Sequence, residues 1–132
     1  MIGGRVLDTS ALVAFATRGS VYVEALAWTA VEENLVLVVP STAVAAAVAE
    51  LSVQTEKDLP VLEVLLTLPG TVVDELTAAR ARTVGQLSGQ LDGDQVAAHA
   101  VACARDRGWA LVTGTPDRYE RLGGLIEIEP LF

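Results

Sequence analysis

The stretch Leu35-Val36-Leu37-Val38-Val39 constrains this chain most: five apolar residues in a row, stopped by Pro40. A strand with one wet face alternates polar and apolar residues. An unbroken short run reads instead as a strand buried on both faces, as in a parallel sheet covered by helices. The remaining pattern agrees. Arg5-Val6-Leu7 reads as a strand ending at Asp8, and Thr71-Val72-Val73, Trp109 to Thr113 and Leu125 to Ile128 as three more. Between them lie helical stretches over Ala11 to Thr17, Val21 to Glu33, Ala43 to about Gln54, Lys57 to Leu68 and Thr77 to Leu87. Another, opened by Asp92 or Asp94, runs to Arg107 and is closed by Gly108, and a short one spans Asp117 to Leu122. Ser41 or Thr42 is placed to cap the third helix. Strands alternating with helices predict an α/β layer fold with a mostly parallel sheet, in which ligands sit beyond the carboxyl ends of the strands.

The 132 residues predict one domain, 1–132, large enough for a core without disulfides. A hydrophobic content of 52% and a mean hydropathy of +0.45 exclude a disordered chain. Seventeen acids against nine bases give a net charge of −8, the wrong sign for a simple electrostatic nucleic-acid binder. A phosphate ligand would need a local site where metal cations invert the field. Cys103 is the single cysteine, so the sequence predicts neither an intramolecular disulfide nor a cysteine-rich zinc site, which suits a reducing cytoplasm. The start, Met1 to Arg5, lacks the basic region and long apolar run of a secretory leader. The uncharged run from Leu35 to Ala49 is 15 residues and holds Pro40, Ser41 and Thr42, too short and interrupted for a membrane span. A cytoplasmic location is the expectation.

Four acids stand at telling places: Asp8 at the end of the first strand, Glu50 in an Ala/Val helix, Asp94 at a helix start, and Asp117 past the strand that ends at Thr113. A parallel sheet could gather them at one edge. Carboxylates without a His/Cys set suit hard cations such as Mg²⁺ or Mn²⁺. Each acid alone has a plain alternative. Asp8, Asp94 and Asp117 could be helix caps, with Asp92 and Asp94 favoured by the helix dipole, and Glu50 could be solvated.

Taken in order, the motifs resemble the PIN-domain family, the metal-dependent ribonucleases that include VapC-type toxins. Val6-Leu7-Asp8-Thr9-Ser10-Ala11-Leu12 resembles the first motif, and Pro40-Ser41-Thr42 with the helix to Ala49-Glu50-Leu51 the second. Asp94-Gln95-Val96-Ala97-Ala98-His99-Ala100-Val101-Ala102 resembles the third, and Trp109-Ala110-Leu111-Val112-Thr113-Gly114 the strand into the fourth. The resemblance spans nearly the whole chain. It implies a three-layer α/β/α fold with a five-stranded parallel sheet, and RNA phosphodiester hydrolysis by metal-activated water. It implies Asp8, Glu50 and Asp94 as catalytic, metal-binding acids for Mg²⁺ or Mn²⁺, and a homodimer held inactive by a small antitoxin. The sequence departs from the family after Thr113-Gly114. Thr115 stands where an acid is common, and Asp117, two residues later, is the candidate to share its role. Thr115 brings no charge to a metal. A degenerate member acting as a protein-interaction module is therefore the alternative to an active ribonuclease.

Thr9, Ser10, Thr113 and Thr115 are the hydroxyls expected around the acids, and Arg105, Arg118 and Arg121, with Arg107, the bases nearest the RNA edge. His99 lies five residues after Asp94, on another face of the helix, and is expected to pack or hydrogen-bond between layers. Cys103 is expected to be buried. The first third is rich in Leu12, Val13, Phe15, Val21, Val23, Leu26 and Trp28, which predicts either core or an interface with a second copy or an antitoxin. A phosphotransfer receiver would need a late lysine, but the only one is Lys57. A haloacid-dehalogenase-type phosphatase would need an acid where Ser10 stands.

Overall fold

The computed structural model describes residues 3–132. Met1 and Ile2, the beginning of the segment read for a leader and of the 1–132 domain, lie outside the described residues. The strands are β1 (Gly4–Leu7), β2 (Val36–Pro40), β3 (Thr71–Asp74), β4 (Leu111–Thr113) and β5 (Ile128–Pro130). They form one sheet in the order β3-β2-β1-β4-β5, and every pairing is parallel. The helices are α1 (Thr9–Ala16), α2 (Val21–Glu33), α3 (Ser41–Gln54), α4 (Leu59–Leu66), α5 (Ala78–Ser88) and α6 (Gln95–Arg107). Short 3₁₀ turns cover Glu56–Asp58 and Pro116–Leu122.

Strand parity divides the core. Leu7, Leu37, Val39 and Val112 face one way and pack with α1, α2, α3 and α4; Val6, Val38 and Leu111 face the other and pack with α5 and α6. That is the three-layer α/β/α arrangement, and it explains why the central strands carry no alternation: both of their faces are covered.

Three local expectations are corrected. Neither Ser41 nor Thr42 caps α3, whose N-cap is Pro40. Ser41 Oγ instead accepts from Leu76 N, and Thr42 Oγ1 bonds His99. The last strand starts three residues later than read and ends two later, because Leu111 pairs with Ile128 and Thr113 with Pro130. β4 starts at Leu111 rather than Trp109, whose ring packs against Gly4. Gly108 closes α6 as expected, in the left-handed region at φ 67°.

Gly4 is required by close approach. A Cβ there would lie 2.5 Å from two Trp109 ring carbons and 2.6 Å from the Val36 carbonyl oxygen. The carbonyl belongs to the paired strand and has little freedom to yield. Gly4→Ala is expected to destabilise the fold by about 1–3 kcal/mol through overpacking. Thermal unfolding would show this as a lowered midpoint, and an unchanged midpoint would contradict it.

Candidate active site

With β1 central, the chain builds outward to β2 and β3 on one side and to β4 and β5 on the other. The order therefore switches between β1 and β4, where a parallel sheet opens a crevice at its carboxyl edge. A cleft of about 580 Å³ lies there. Asp8, Thr9, Ser10, Glu50, Asp94, Thr115 and Arg118 all line it.

Asp8 follows β1 directly and is the N-cap of α1. Its Oδ1 accepts from Ala11 N at 3.1 Å and from Ser10 Oγ at 2.6 Å, and its Oδ2 accepts from the Tyr119 hydroxyl at 2.8 Å. It is 5% exposed. Capping and a place in the cleft thus coexist in one side chain. Asp94 repeats the pattern. As the N-cap of α6 it accepts from Ala97 N at 2.9 Å, while its other oxygen pairs with Arg118. Glu50 comes from α3, is exposed, and makes no ion pair among the described residues. Two helix N-termini, those of α1 and α6, bring partial positive charge to the acids and reduce their mutual repulsion.

The hydroxyls expected around the acids divide by depth. Ser10 Oγ accepts from Gly114 N at 2.8 Å and lies 3.3 Å from Thr113 Oγ1, tying the α1 start to the turn after β4. Thr113 is fully buried and outside the cleft wall; its Oγ1 accepts from Thr115 N at 3.0 Å. Thr9 Oγ1 is buried without a hydrogen-bond partner among the described residues. The arginines divide too. Arg118 lines the cleft, half exposed. Arg121 does not; it pairs with Asp92 at 2.8 Å on the surface. Arg105 pairs with Asp106. It lies about 16 Å along α6 from Asp94, at a rise of about 1.5 Å per residue. Asp117 is exposed and does not line the cleft, because three residues per turn bring Thr115 and Arg118 to one side of the 3₁₀ segment and leave Asp117 off it.

Sequence reasoning missed Tyr119. It is buried, and burial together with the negative charge and hydrogen bond of Asp8 pushes its hydroxyl far above the ordinary tyrosine value. Tyr119 therefore stays a donor to Asp8. Tyr119→Phe removes a buried bond to a charged acceptor and is expected to cost about 1.5–3 kcal/mol in urea unfolding. A variant as stable as the parent would show that the bond contributes nothing.

Sequence reasoning also missed Asp74. It ends β3 as Asp8 follows β1, and that shared position was the available signal. Asp74, His99 and Cys103 are the one trio of possible metal ligands whose atoms lie within 4.8 Å among the described residues. The chemistry opposes a cation there. Asp74 already accepts from His99 Nε2 at 2.9 Å, Arg80 at 3.1 Å and Arg107 at 3.3 Å. Burial and the Asp74 charge push the Cys103 thiol up to about 12, so it is protonated at neutral pH. His99 Nε2 donates to the ionised Asp74, and its Nδ1 lies 2.8 Å from Thr42 Oγ1 in a second hydrogen bond. The group is a buried polar tie between layers, the place expected of His99. Asp8, Glu50 and Asp94 share their cleft without closing to the same spacing.

Of the apolar residues in the first third, Leu12, Val23 and Leu26 are buried. Val21 and Trp28 are exposed, at 84% and 68%. Trp28 lines a second groove, about 440 Å³, with Phe15, Ala27, Val31, Val64 and Leu68. No helix among the described residues is long and apolar enough to cross a membrane.

Comparison with known proteins gives a consistent result. The PIN domain family matches residues 5–124. Among solved structures, the fold is similar to a chain of VapBC2 from Rickettsia felis bound to a DNA fragment from their promoter. That match has a TM-score of 0.73 and 17% identity, covering 98% of this chain and 99% of the other. It is also similar to a chain of DNA-bound VapBC from Salmonella typhimurium, with a TM-score of 0.72 and 20% identity over 100% of both. No curated protein matches it in sequence.

Proposed function

The chain belongs to the PIN domain family, and from that premise we propose that it is a metal-dependent endoribonuclease, the toxin of a bacterial toxin–antitoxin pair. The observation that carries the reading is the convergence of Asp8, Glu50 and Asp94, from β1, α3 and α6, on one cleft at the switch point of the sheet. An all-oxygen donor set suits Mg²⁺ or Mn²⁺. Carboxylates spaced wider than direct ligands suit a small cation that keeps several of its waters.

In this reading Asp8, Glu50 and Asp94 hold the metal, and Thr115 contributes a neutral oxygen. A bound metal supplies charge neutralisation at the phosphodiester and a water of lowered pKa. The chain's own groups do the positioning. Ser10 and Tyr119 fix both oxygens of Asp8, and the Ser10–Thr113–Thr115 hydroxyls hold the turn after β4 against α1. Arg118, at the cleft, is the residue assigned to an RNA phosphate. Asp117, Arg105 and Arg121 lie away from the cleft wall and receive no such role.

The Trp28 groove is the surface proposed for a partner, an antitoxin segment or a second copy in a homodimer. The two similar structures are VapBC complexes, which supports the antitoxin. A cytoplasmic location accompanies this reading. The second reading, an interaction module with a degenerate site, is favoured by the missing charge at Thr115.

The deciding experiment is calorimetric titration with Mn²⁺ and Mg²⁺, followed by RNA cleavage by the same protein with metal and with EDTA. Metal binding with cleavage that EDTA abolishes is the expected result. Neither binding nor cleavage would overturn the ribonuclease and leave the interaction module.

A further inference from the structure

Resting on the ribonuclease reading, we infer that Phe132 is the base-stacking platform of the cleft, placing one nucleobase of single-stranded RNA beside the acids. The chain carries a net charge of −8, so outside the metal site and Arg118 phosphate attraction contributes little to RNA affinity. A protein of this charge needs another source of affinity. Base–aromatic stacking supplies about 1–3 kcal/mol per base and tolerates any sequence, because every base has a π-face.

The chain has only six aromatic residues. Tyr119 is buried, and Phe15, Tyr22 and Trp109 are half-buried. Trp28 is exposed but lines the other groove. Phe132 alone is both exposed, at 83%, and part of the wall that holds Asp8, Glu50 and Asp94.

Its position is built rather than incidental. Leu131 N donates to the Thr113 carbonyl at 2.9 Å, and the Leu131 side chain is buried, so the backbone before Phe132 is fastened to the end of β4. The ring then lies over Gly114. A Cβ on Gly114 would be 3.2 Å from Phe132 Cε2, tighter than ordinary contact, so glycine lets the ring sit close to the turn. That turn also carries Thr115, and Arg118 lines the same cleft. A base on the ring would thus share its wall with the acids and Arg118.

The test compares wild type, Phe132→Ala and Phe132→Trp, using an end-labelled pool of random-sequence RNA octamers for Kd. KM and kcat for cleavage and the Mn²⁺ affinity would be measured alongside. Phe132→Ala is expected to raise Kd and KM about tenfold, within the stacking range, with kcat changed less than about twofold and Mn²⁺ affinity unchanged. Phe132→Trp should restore both. A Phe132→Ala protein with wild-type Kd and KM would overturn the inference while leaving the ribonuclease standing. So would a loss of Mn²⁺ affinity or of thermal stability in step with KM, which marks a structural role. A wild type that neither binds the octamers nor cleaves RNA would overturn the ribonuclease reading and this inference together.

Discussion

Asp8→Asn is expected to reduce metal-dependent RNA cleavage by about 10³-fold or more, since a metal ligand's charge is worth several kcal/mol at the transition state. It should also remove most of the Mn²⁺ binding seen by calorimetry. The variant separates chemistry from folding. Asn is as good an N-cap as Asp, so Ala11 N, now 3.1 Å from Asp8 Oδ1, keeps an acceptor. The fold should survive, with its unfolding midpoint lowered about as much as by Tyr119→Phe, because the amide nitrogen cannot accept from the Tyr119 hydroxyl that now donates to Oδ2. Asp8→Ala would lose cap and charge together and is the less informative variant. Cleavage at the parent rate by Asp8→Asn would remove Asp8 from the mechanism.

The largest stability effect is expected at Asp74. Its side chain is 9% exposed and receives His99, Arg80 and Arg107. Asp74→Ala leaves the fully buried His99 donor without its acceptor and two guanidiniums without their shared anion. Breaking a buried charged hub in this way costs about 3–5 kcal/mol, read as a lowered urea midpoint. The pH dependence has a definite sign. Burial opposes ionisation of Asp74, but hydrogen bonds from His99 and Arg80 and the Arg80 charge overcome it and hold the carboxyl at about 2, below its ordinary 3.8. Between those values the unfolded chain binds the proton and the folded chain does not. The stabilisation, about 2 kcal/mol, is complete above about pH 4 and is lost as pH falls through about 2. The stability gap between wild type and Asp74→Asn should therefore narrow over that window. A gap constant from pH 7 to pH 2 would show that Asp74 ionisation is not linked to folding.

Much of the architecture was legible because it depends on short-range pattern. The Leu35–Val39 run announced a strand covered on both faces, and Leu37, Val38 and Val39 all prove buried. Asp94 and Gly108 mark the two ends of α6 by capping chemistry that operates within one turn. The errors have a different source. Leu125–Ile128 looked like a strand from its composition, but strand limits are set by the partner, and β4 pairs with Ile128–Pro130. Ser41 looked like a cap, but Leu76, 35 residues away, takes its hydroxyl.

The sequence by itself determined the alternation of strands and helices, the placing of Asp8 and Asp94 at helix starts, and the net charge that makes a local site necessary. These follow from propensity, capping and composition, which act over a few residues. Only the tertiary structure decided which polar groups meet. It brought Glu50 and Thr115 to the Asp8 cleft and left Asp117, Arg105 and Arg121 outside. It gave Tyr119 to Asp8 across 111 residues and His99 to Asp74 across 25. Such meetings depend on strand order and helix rotation, which are settled by packing the whole core at once. The same packing made one aspartate the hub of a buried tie and another the floor of a cleft, though both stand at the end of a strand.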